Sequence, residues 1–238
     1  MADQATTAWR LDRGALHRTL PFALFMSFVG LDEALRFAAQ RHWFSLEEPS
    51  LYYLYPVRAF AVGVLLYLLR RQYTELRFSD LLQLRVSFAA ACAGLATFLL
   101  WINVTATLPG IAPPNGFNPL LLPEGALRAA MTSVRVAGAV VVVPVMEELF
   151  WRSFLLRYLV DPDFETVPLG RFSWGSFLVA AVLFGLEHHF FFAGIIAGAI
   201  FSLVLYKTRS LAQCVLAHAV ANLALAFYVL HSAKWYFW

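Results

Sequence analysis

The sequence predicts an all-α fold, a polytopic membrane helix bundle with seven to eight transmembrane helices. Of its 238 residues, 61% are hydrophobic and 14% are charged, and the mean hydropathy is +0.66. A water-soluble domain is closer to about half apolar and about a quarter charged. The apolar residues also fall into runs of about 20, the length that an α-helix needs to cross a bilayer. The polar surface is too small for a globule in water.

The chain is expected to form one integral-membrane domain, 1–238, because no Gly/Ser linker or charged low-complexity tract divides it. The net charge of +3 arises from Lys and Arg at the ends of apolar runs, so these residues are topology markers. We therefore expect membrane lipid and no nucleic acid as a partner. Cys92 and Cys214 lie in apolar runs and predict no disulfide framework. No oligomeric state is predicted.

The first apolar run, 20–39, follows a polar stretch, 1–18, and meets Asp32 and Glu33. It lacks a small-residue cleavage site, so we interpret it as a first span and not as a cleaved signal peptide. A loop is predicted at 105–125 because this segment is rich in Pro and Gly. The other simple apolar runs are 51–69, 86–104, 172–187, 190–206 and 211–230.

The apolar segment from 126 to about 160 is too long for one straight span, because it would reach about 50 Å at about 1.5 Å per residue. Pro144 is expected to kink it, since proline lacks an N–H and leaves the carbonyl of Val140 without its usual donor. A loop at 161–171 follows. The terminal sequence KWYFW is typical of an aromatic belt at the membrane interface.

Basic residues indicate the orientation of the chain. They form three groups, which are Arg10, Arg13 and Arg18, then Arg70, Arg71, Arg77 and Arg85, and finally Lys207 and Arg209. With seven simple spans all three groups lie on one side, which the positive-inside rule assigns to the cytoplasm. The same count puts Glu147 and His188 near opposite faces of the membrane, unless these helices are tilted or broken or the number of spans differs.

Two adjacent carboxylates and an arginine lie within the long apolar segment. An ionisable side chain in a span costs about 2.5–3.5 kcal/mol and is a functional-site hypothesis by default. Glu148 and Arg152 share a helix face at i and i+4 and are expected to pair. Glu147 is rotated by about 100° from Glu148, so the two acids can separate a structural role from an acid/base role. The alternative is an interfacial helix end where all three charges contact water.

Two further polar pairs have the same helical spacing. Phe184 and His188 are at i and i+4, so an aromatic ring is expected beside the imidazole, although a short turn between spans also explains them. His218 and Asn222 lie on an apolar helix, away from its ends. Such groups need partners in other helices, and hydrogen bonds that only hold the bundle together are the simpler explanation for this pair alone.

In combination, the acids, the two histidines and the asparagine predict one buried pocket, because each needs partners from another helix. Such a pocket supports hydrolysis. A glutamate with a histidine can take a proton from water and pass it to a leaving amine. A second histidine and an asparagine can donate hydrogen bonds to a tetrahedral oxyanion, where one donor is worth about 3–4 kcal/mol.

The three patterns together resemble the CPBP family, the ABI or type II CAAX prenyl endopeptidases, which are glutamic intramembrane proteases. Its signatures EExxxR, FxxxH and HxxxN stand in the family order within 126–230, as Glu147-Glu148 with Arg152, Phe184 with His188, and His218 with Asn222. The resemblance implies a hydrolase that cleaves near the C-terminus of a membrane-associated protein. It implies neither a cofactor nor a metal.

The resemblance also assigns roles to single residues. Glu147 and His188 would activate the attacking water, and His218 with Asn222 would form the oxyanion hole. The supporting residues would be Glu148, Arg152 and Phe184.

A closer likeness is to the exosortase-associated bacterial branch of this family. The stretches that carry it are VVPVMEELFWRSFL, GRFSWGSFLVAAVLFGLEHH, TRSLAQCVLAHAVANLAL and the terminal WYFW. The branch implies a multi-pass protein of the bacterial inner membrane. Its substrate would be the membrane-embedded C-terminal tail of exported proteins, and prenylation would not be involved.

Several other functions fit parts of the pattern. A zinc-dependent membrane protease is the nearest one, because a glutamate and two histidines can bind zinc, although no HExxH motif is present. A cysteine mechanism would use Cys214 and His218, at i and i+4. A non-catalytic immunity or scaffold protein could use the same polar cluster to bind a partner. A proton-coupled transporter is the last alternative, although the sequence shows no repeated pair of broken helices.

Overall fold

The chain is described here from a computed structural model, in which residues 13–110 and 116–238 are placed. These residues form helices and loops without a β-strand. The helices are α1 (Arg13–Gln40), α2 (Glu48–Gln72), α3 (Leu84–Asn103), α4 (Ala126–Tyr158), α5 (Trp174–Leu186), α6 (Phe191–Thr208) and α7 (Leu211–Ser232). The predicted all-α polytopic membrane bundle is confirmed. Most of the polar stretch before α1, including Arg10, and 111–115 of the predicted loop lie outside the described residues.

Five of these seven helices are long and apolar enough to cross a membrane, namely α2, α3, α4, α6 and α7. Helix α5 has 13 residues and spans about 20 Å, less than the roughly 30 Å of a hydrocarbon core. A helix of this length that begins at one surface of the bilayer ends before it reaches the other. The turn at 187–190, which carries His188, is then expected at membrane depth.

The helices alternate in direction, and their contacts identify one common end. Arg18 near the start of α1 binds Glu75 in the loop after α2. Ser210, just before α7, donates a hydrogen bond to Asp80 in the loop before α3. The described members of the basic groups that the sequence places on one side therefore lie at one end of the bundle, which we call the basic end.

Helix α4 is not a regular α-helix. Two π-helical segments, Gly138–Val142 and Leu149–Leu155, flank the α-helical stretch Val143–Glu148. Pro144 lies in the first turn of that stretch, where a missing N–H is tolerated. The N–H of Val143 donates to the carbonyl of Gly138, five residues back. The chain thus accommodates the proline that was expected to kink it by widening the preceding turn.

Close packing of α3 on α7 requires a glycine. A Cβ atom added at Gly94 on α3 would collide with the carbonyl oxygen of Ala217 on α7. Small residues let two helix backbones approach closely in a membrane, where lipid is as apolar as the side chains. This approach fixes the height of α7, and hence of His218, relative to the rest of the bundle.

A buried ionic cluster closes the basic end. The guanidinium of Arg18 donates to both carboxylate oxygens of Glu75, at 2.7 and 2.9 Å, and to Glu165 at 3.3 Å. Ser153 on α4 donates to Glu75 and accepts from Arg157. Burial opposes the charge of Glu75, but hydrogen bonds from Arg18 and Ser153 and the Arg18 charge outweigh it and lower the pKa of that carboxyl below its usual value. The cluster joins α1, α4 and two loops.

Candidate active site

The two adjacent carboxylates of α4 face different surroundings. Glu147 lines a cavity of about 710 Å³, whereas Glu148 lies behind its wall and is fully buried. The same cavity is lined by Arg135, Ala139 and Val143, each four residues before the next, so Glu147 ends a stripe along one face of α4. The two carboxylates therefore face different surroundings, as the 100° rotation predicts, and their separate roles stay a prediction.

Glu148 is held by a cation and an imidazole. Its Oε1 lies 3.2 Å from a terminal nitrogen of Arg152, which is the i to i+4 pair expected from the sequence. The same oxygen lies 2.9 Å from Nδ1 of His218 on α7. Nε2 of His218 is 4.0 Å from Oε2 of Glu147, beyond hydrogen-bond distance. The histidine ring therefore bridges the space between the two carboxylates.

Arg152 is fixed by three helices. It donates to the carbonyl of Gly198 on α6 at 3.0 Å, and its guanidinium lies 4.7 Å from the ring of Phe184 and 5.4 Å from that of Phe201. A Cβ at Gly198 would lie 3.0 Å from the Cβ of Phe184, so a larger residue would push α5 and α6 apart. The arginine neutralises Glu148 and also ties α4 to α6.

His188 is oriented by the helix that it follows. Its Nδ1 lies 2.7 Å from the carbonyl of Phe184, and because a carbonyl only accepts, Nδ1 carries a hydrogen; in the neutral ring Nε2 then has the lone pair. The ring packs beside Phe184, with 4.7 Å between centroids, as the i to i+4 spacing predicts. Trp101 covers another side of the imidazole, at 5.1 Å and nearly perpendicular to it.

Asn222 is anchored to the wide turn of α4. Its Nδ2 donates to the carbonyl of Ala139 at 2.8 Å. That oxygen is available because the N–H of Val143 is directed to Gly138, and residue 144, a proline, has no N–H. The carbonyl that finds a side-chain partner is therefore that of Ala139 and not that of Val140, which the sequence indicated.

The structure brings the predicted catalytic groups to one cavity. Glu147, His188, His218 and Asn222 all line it, and so does Phe184, while Glu148 and Arg152 lie behind them. Simple spans would have put Glu147 and His188 near opposite faces. Both nevertheless line this one cavity, which the 13-residue length of α5 allows. The catalytic roles of these residues stay a prediction.

Several polar atoms of this group lack partners. Oε2 of Glu147, Oε2 of Glu148 and Nε of Arg152 are buried and make no hydrogen bond to a described residue. Buried polar atoms are nearly always paired, so an unpaired group calls for a specific explanation, such as a water or a catalytic role. The unpaired oxygen of Glu147 belongs to the carboxylate that lines the cavity.

Sequence reasoning did not select two contributors to this site. Glu187 lines the cavity and accepts a hydrogen bond from the indole of Trp151 at 3.1 Å, so a third carboxylate stands beside the pair. Phe201 stacks on His218 at 4.8 Å between centroids, with the rings 19° from parallel. Glu187 has a detectable signal, an acid next to His188 at the end of an apolar run. Phe201 has none, because it is one of 22 phenylalanines.

The geometry also bears on the alternative chemistries. Within 13–110 and 116–238, no group of three or more His, Cys, Asp or Glu side chains has an arrangement that could hold a metal ion. Cys214 is fully buried, and its thiol faces the backbone carbonyls of Phe201 and Ser210 at 3.6 and 3.5 Å. The imidazole four residues on, His218, is bound to Glu148 instead.

A comparison with known protein families gives a match in the second half of the chain. Residues 129–224 match the sequence model of the family described as Type II CAAX prenyl endopeptidase Rce1-like. This segment runs from α4 into α7 and includes every residue that the sequence assigned to the site. Neither a curated protein nor a solved structure matches the chain.

Proposed function

Because residues 129–224 form an Rce1-like domain of the type II CAAX prenyl endopeptidase family, in a multi-pass membrane protein, we propose that the chain is a glutamic intramembrane endopeptidase. It would hydrolyse a peptide bond near the C-terminus of a membrane-associated protein, without a metal. The observation that carries this proposal is the convergence of Glu147, His188, His218 and Asn222 on one cavity.

The attacking water would bind between Glu147 and His188. Glu147 offers a buried oxygen without a partner, and His188 offers the lone pair of Nε2 because its Nδ1 is committed to Phe184. The water oxygen attacks the scissile carbonyl carbon while its proton passes to this pair. The C–N bond then breaks, and the same proton moves to the leaving amine, so the base is regenerated.

The negative charge that develops on the carbonyl oxygen would be met by Asn222 and His218. One N–H of Asn222 is held by Ala139, which fixes the amide plane and leaves the second N–H for the substrate. His218 is fixed through Nδ1–H by Glu148, so Nε2 is the ring nitrogen that faces the reaction, and it would donate to the oxyanion in the form of the ring that carries a hydrogen on both nitrogens. Donors held in place before the reaction cost no reorganisation in the transition state.

The position of the cavity supports a substrate on the non-cytoplasmic side. It is lined by the ends of α1, α2 and α3 that lie opposite the basic end, and by the C-terminal residues 236–238. The positive-inside rule puts the basic end in the cytoplasm. This agrees with the implication of the exosortase-associated branch, that the substrate is the C-terminal tail of an exported protein in a bacterial inner membrane.

The test is cleavage of a quenched peptide with a hydrophobic C-terminal tail by wild type and Glu147→Gln in liposomes. Glutamine keeps the shape and removes the base, so kcat should fall by about 10²–10⁴. Glu124→Gln is the matched control, since Glu124 is an exposed carboxylate outside the cavity. A zinc chelator is added in a parallel series.

The outcomes separate the candidate mechanisms. Loss of cleavage in Glu147→Gln with full activity under chelator supports the metal-free glutamic protease. Loss of wild-type activity under chelator transfers the assignment to a zinc protease. Equal cleavage by wild type and Glu147→Gln contradicts the role of Glu147, and no cleavage by either favours the non-catalytic scaffold.

A further inference from the structure

A second polar group of the cavity is not used by the proposed chemistry. Arg58 on α2 and Arg135 on α4 both line the cavity, on the side away from Glu147. Their guanidinium carbons lie 4.9 and 4.2 Å from the centroid of the same ring, that of Tyr55, and so are at most 9.1 Å apart. Two cations held this close within membrane-spanning helices repel each other and are costly to bury.

Neither arginine is neutralised within the described part of the chain. Neither forms an ion pair or a side-chain hydrogen bond there, and the Nε atom of each is buried without a partner. Asp32 lines the same part of the cavity, but it is paired with Arg36 at 3.1 Å. Glu33, also on the lining, is exposed. Both positive charges therefore line the cavity without a paired carboxylate among the described residues.

Aromatic rings surround both guanidinium groups. Arg58 lies over Phe25 at 4.3 Å as well as over Tyr55, and Arg135 lies 6.0 Å from the ring of Trp238. A guanidinium donates its hydrogen bonds in its own plane, and aromatic rings compete for none of them because they offer no carboxylate or carbonyl acceptor. A pair of such groups in a cavity fits a planar anion, and a carboxylate is the planar anion that arginine binds with two parallel hydrogen bonds.

We propose that Arg58 and Arg135 form the subsite that binds the C-terminal carboxylate of the substrate. This inference rests on the proposed function, because it takes the substrate to be the end of a polypeptide chain. The cavity would then contact the substrate at two places, with Glu147 at the scissile bond and the two arginines at the C-terminal carboxylate of the substrate. The enzyme would then select free C-termini and reject internal segments, whose backbone carries no charge.

The distance between Glu147 and Arg135 predicts how far the scissile bond lies from the C-terminal carboxylate of the substrate. Arg135 and Glu147 are 12 residues apart on one stripe of α4, which corresponds to about 18 Å at about 1.5 Å per residue. An extended peptide covers about 3.3 Å per residue, so roughly five residues span this distance. The scissile bond is therefore expected about five residues from the terminal carboxylate.

The test measures binding apart from cleavage. The protein carries Glu147→Gln and sits in nanodiscs of phosphatidylcholine, and two fluorescent peptides differ only in a C-terminal carboxylate or a C-terminal amide. We expect the carboxylate peptide to bind at least about tenfold tighter, because a charge-assisted bidentate contact is lost in the amide. Arg58→Gln combined with Arg135→Gln should abolish this preference.

Two further variants make the result specific. Arg135→Lys keeps the charge but loses the two-pronged geometry, and should retain an intermediate preference. Arg85→Gln removes an exposed arginine that does not line the cavity, and should leave the preference unchanged. Thermal unfolding of each variant shows that it is folded.

Equal binding of the two peptides by the parent protein, or a preference that survives in the double variant, overturns the proposal. If the parent shows no carboxylate preference but retains phosphatidylglycerol in a way that requires the arginines, the pair binds lipid phosphate and the proposal is likewise wrong. A carboxylate preference without any cleavage by wild type would contradict the protease and leave the subsite standing.

Discussion

Helix α4 carries two buried ionic clusters that differ in how completely their polar atoms are paired. At the basic end, both oxygens of Glu75 and all three nitrogens of Arg18 have partners. Around the cavity, one oxygen of Glu147, one of Glu148 and Nε of Arg152 have none among the described residues. A fully paired cluster contributes to stability, whereas a partly paired one is costly unless a water or a substrate completes it. We therefore expect the first cluster to act on stability, and we propose that the second acts in function.

The largest expected effect comes from breaking the paired cluster. Arg18→Gln leaves the charge of Glu75 buried without its cation, which should cost about 3–5 kcal/mol of the free energy of unfolding. The kcat of the molecules that remain folded should change little, because Arg18 lies outside the cavity. The measurements are unfolding in detergent and cleavage per folded molecule.

Arg13→Gln is the matched control for this change. Arg13 is an exposed arginine on the same helix, and its loss should leave stability within about 0.5 kcal/mol of wild type. A stable but inactive Arg18→Gln protein would remove the distinction between the two clusters.

The next effect tests the unpaired cluster. Asn222→Ala should lower kcat by about 10²–10³, the usual cost of one oxyanion donor. The stability should fall by only about 1 kcal/mol, since a single hydrogen bond to Ala139 is lost. Asn103→Ala is the control, because Asn103 also donates to a backbone carbonyl but lies at the exposed end of α3. A loss of stability with normal kcat would make Asn222 a packing residue.

The smallest effect is a dependence of stability on pH. The pKa of Glu75 is lower in the folded protein than in the unfolded chain, so its contribution is present above the unfolded pKa and is lost as the pH falls through the folded pKa. Wild type should therefore lose more stability than Glu75→Gln when the pH is lowered from 6 towards 3. Parallel pH curves for the two proteins would show that the carboxyl is not stabilised by its neighbours.

The sequence predicted those features that depend on helical periodicity. The separation of Glu147 from Glu148, the Glu148–Arg152 pair and the contact of Phe184 with His188 follow from spacing along one helix, and all three are present. The number of helical segments follows from the apolar runs. A family resemblance resting on three short motifs agrees with the match over 129–224.

Features that depend on contacts between helices were not predictable in this way. The pairing of Arg18 with Glu75 joins residues 57 positions apart, and periodicity carries no information about it. Arg58 on α2 and Arg135 on α4 lie close together because both pack on the ring of Tyr55. The choice of Ala139 over Val140 depends on a π-helical turn, which shifts the hydrogen-bond register by one residue and has no signature beyond the proline.

The carbonyl of Ala139 restricts which side chain can stand at position 222. Asparagine fits because its NH₂ group donates to that oxygen at 2.8 Å, which also settles which way the amide is turned. The carboxylate of an ionised aspartate only accepts hydrogen bonds, as does the carbonyl of Ala139, so the two oxygens would repel each other. Asn222→Asp can therefore keep this contact only as the neutral acid. The π-helical turn of α4 thereby determines that the carboxyl group of an Asn222→Asp variant on α7 must be protonated to keep this contact.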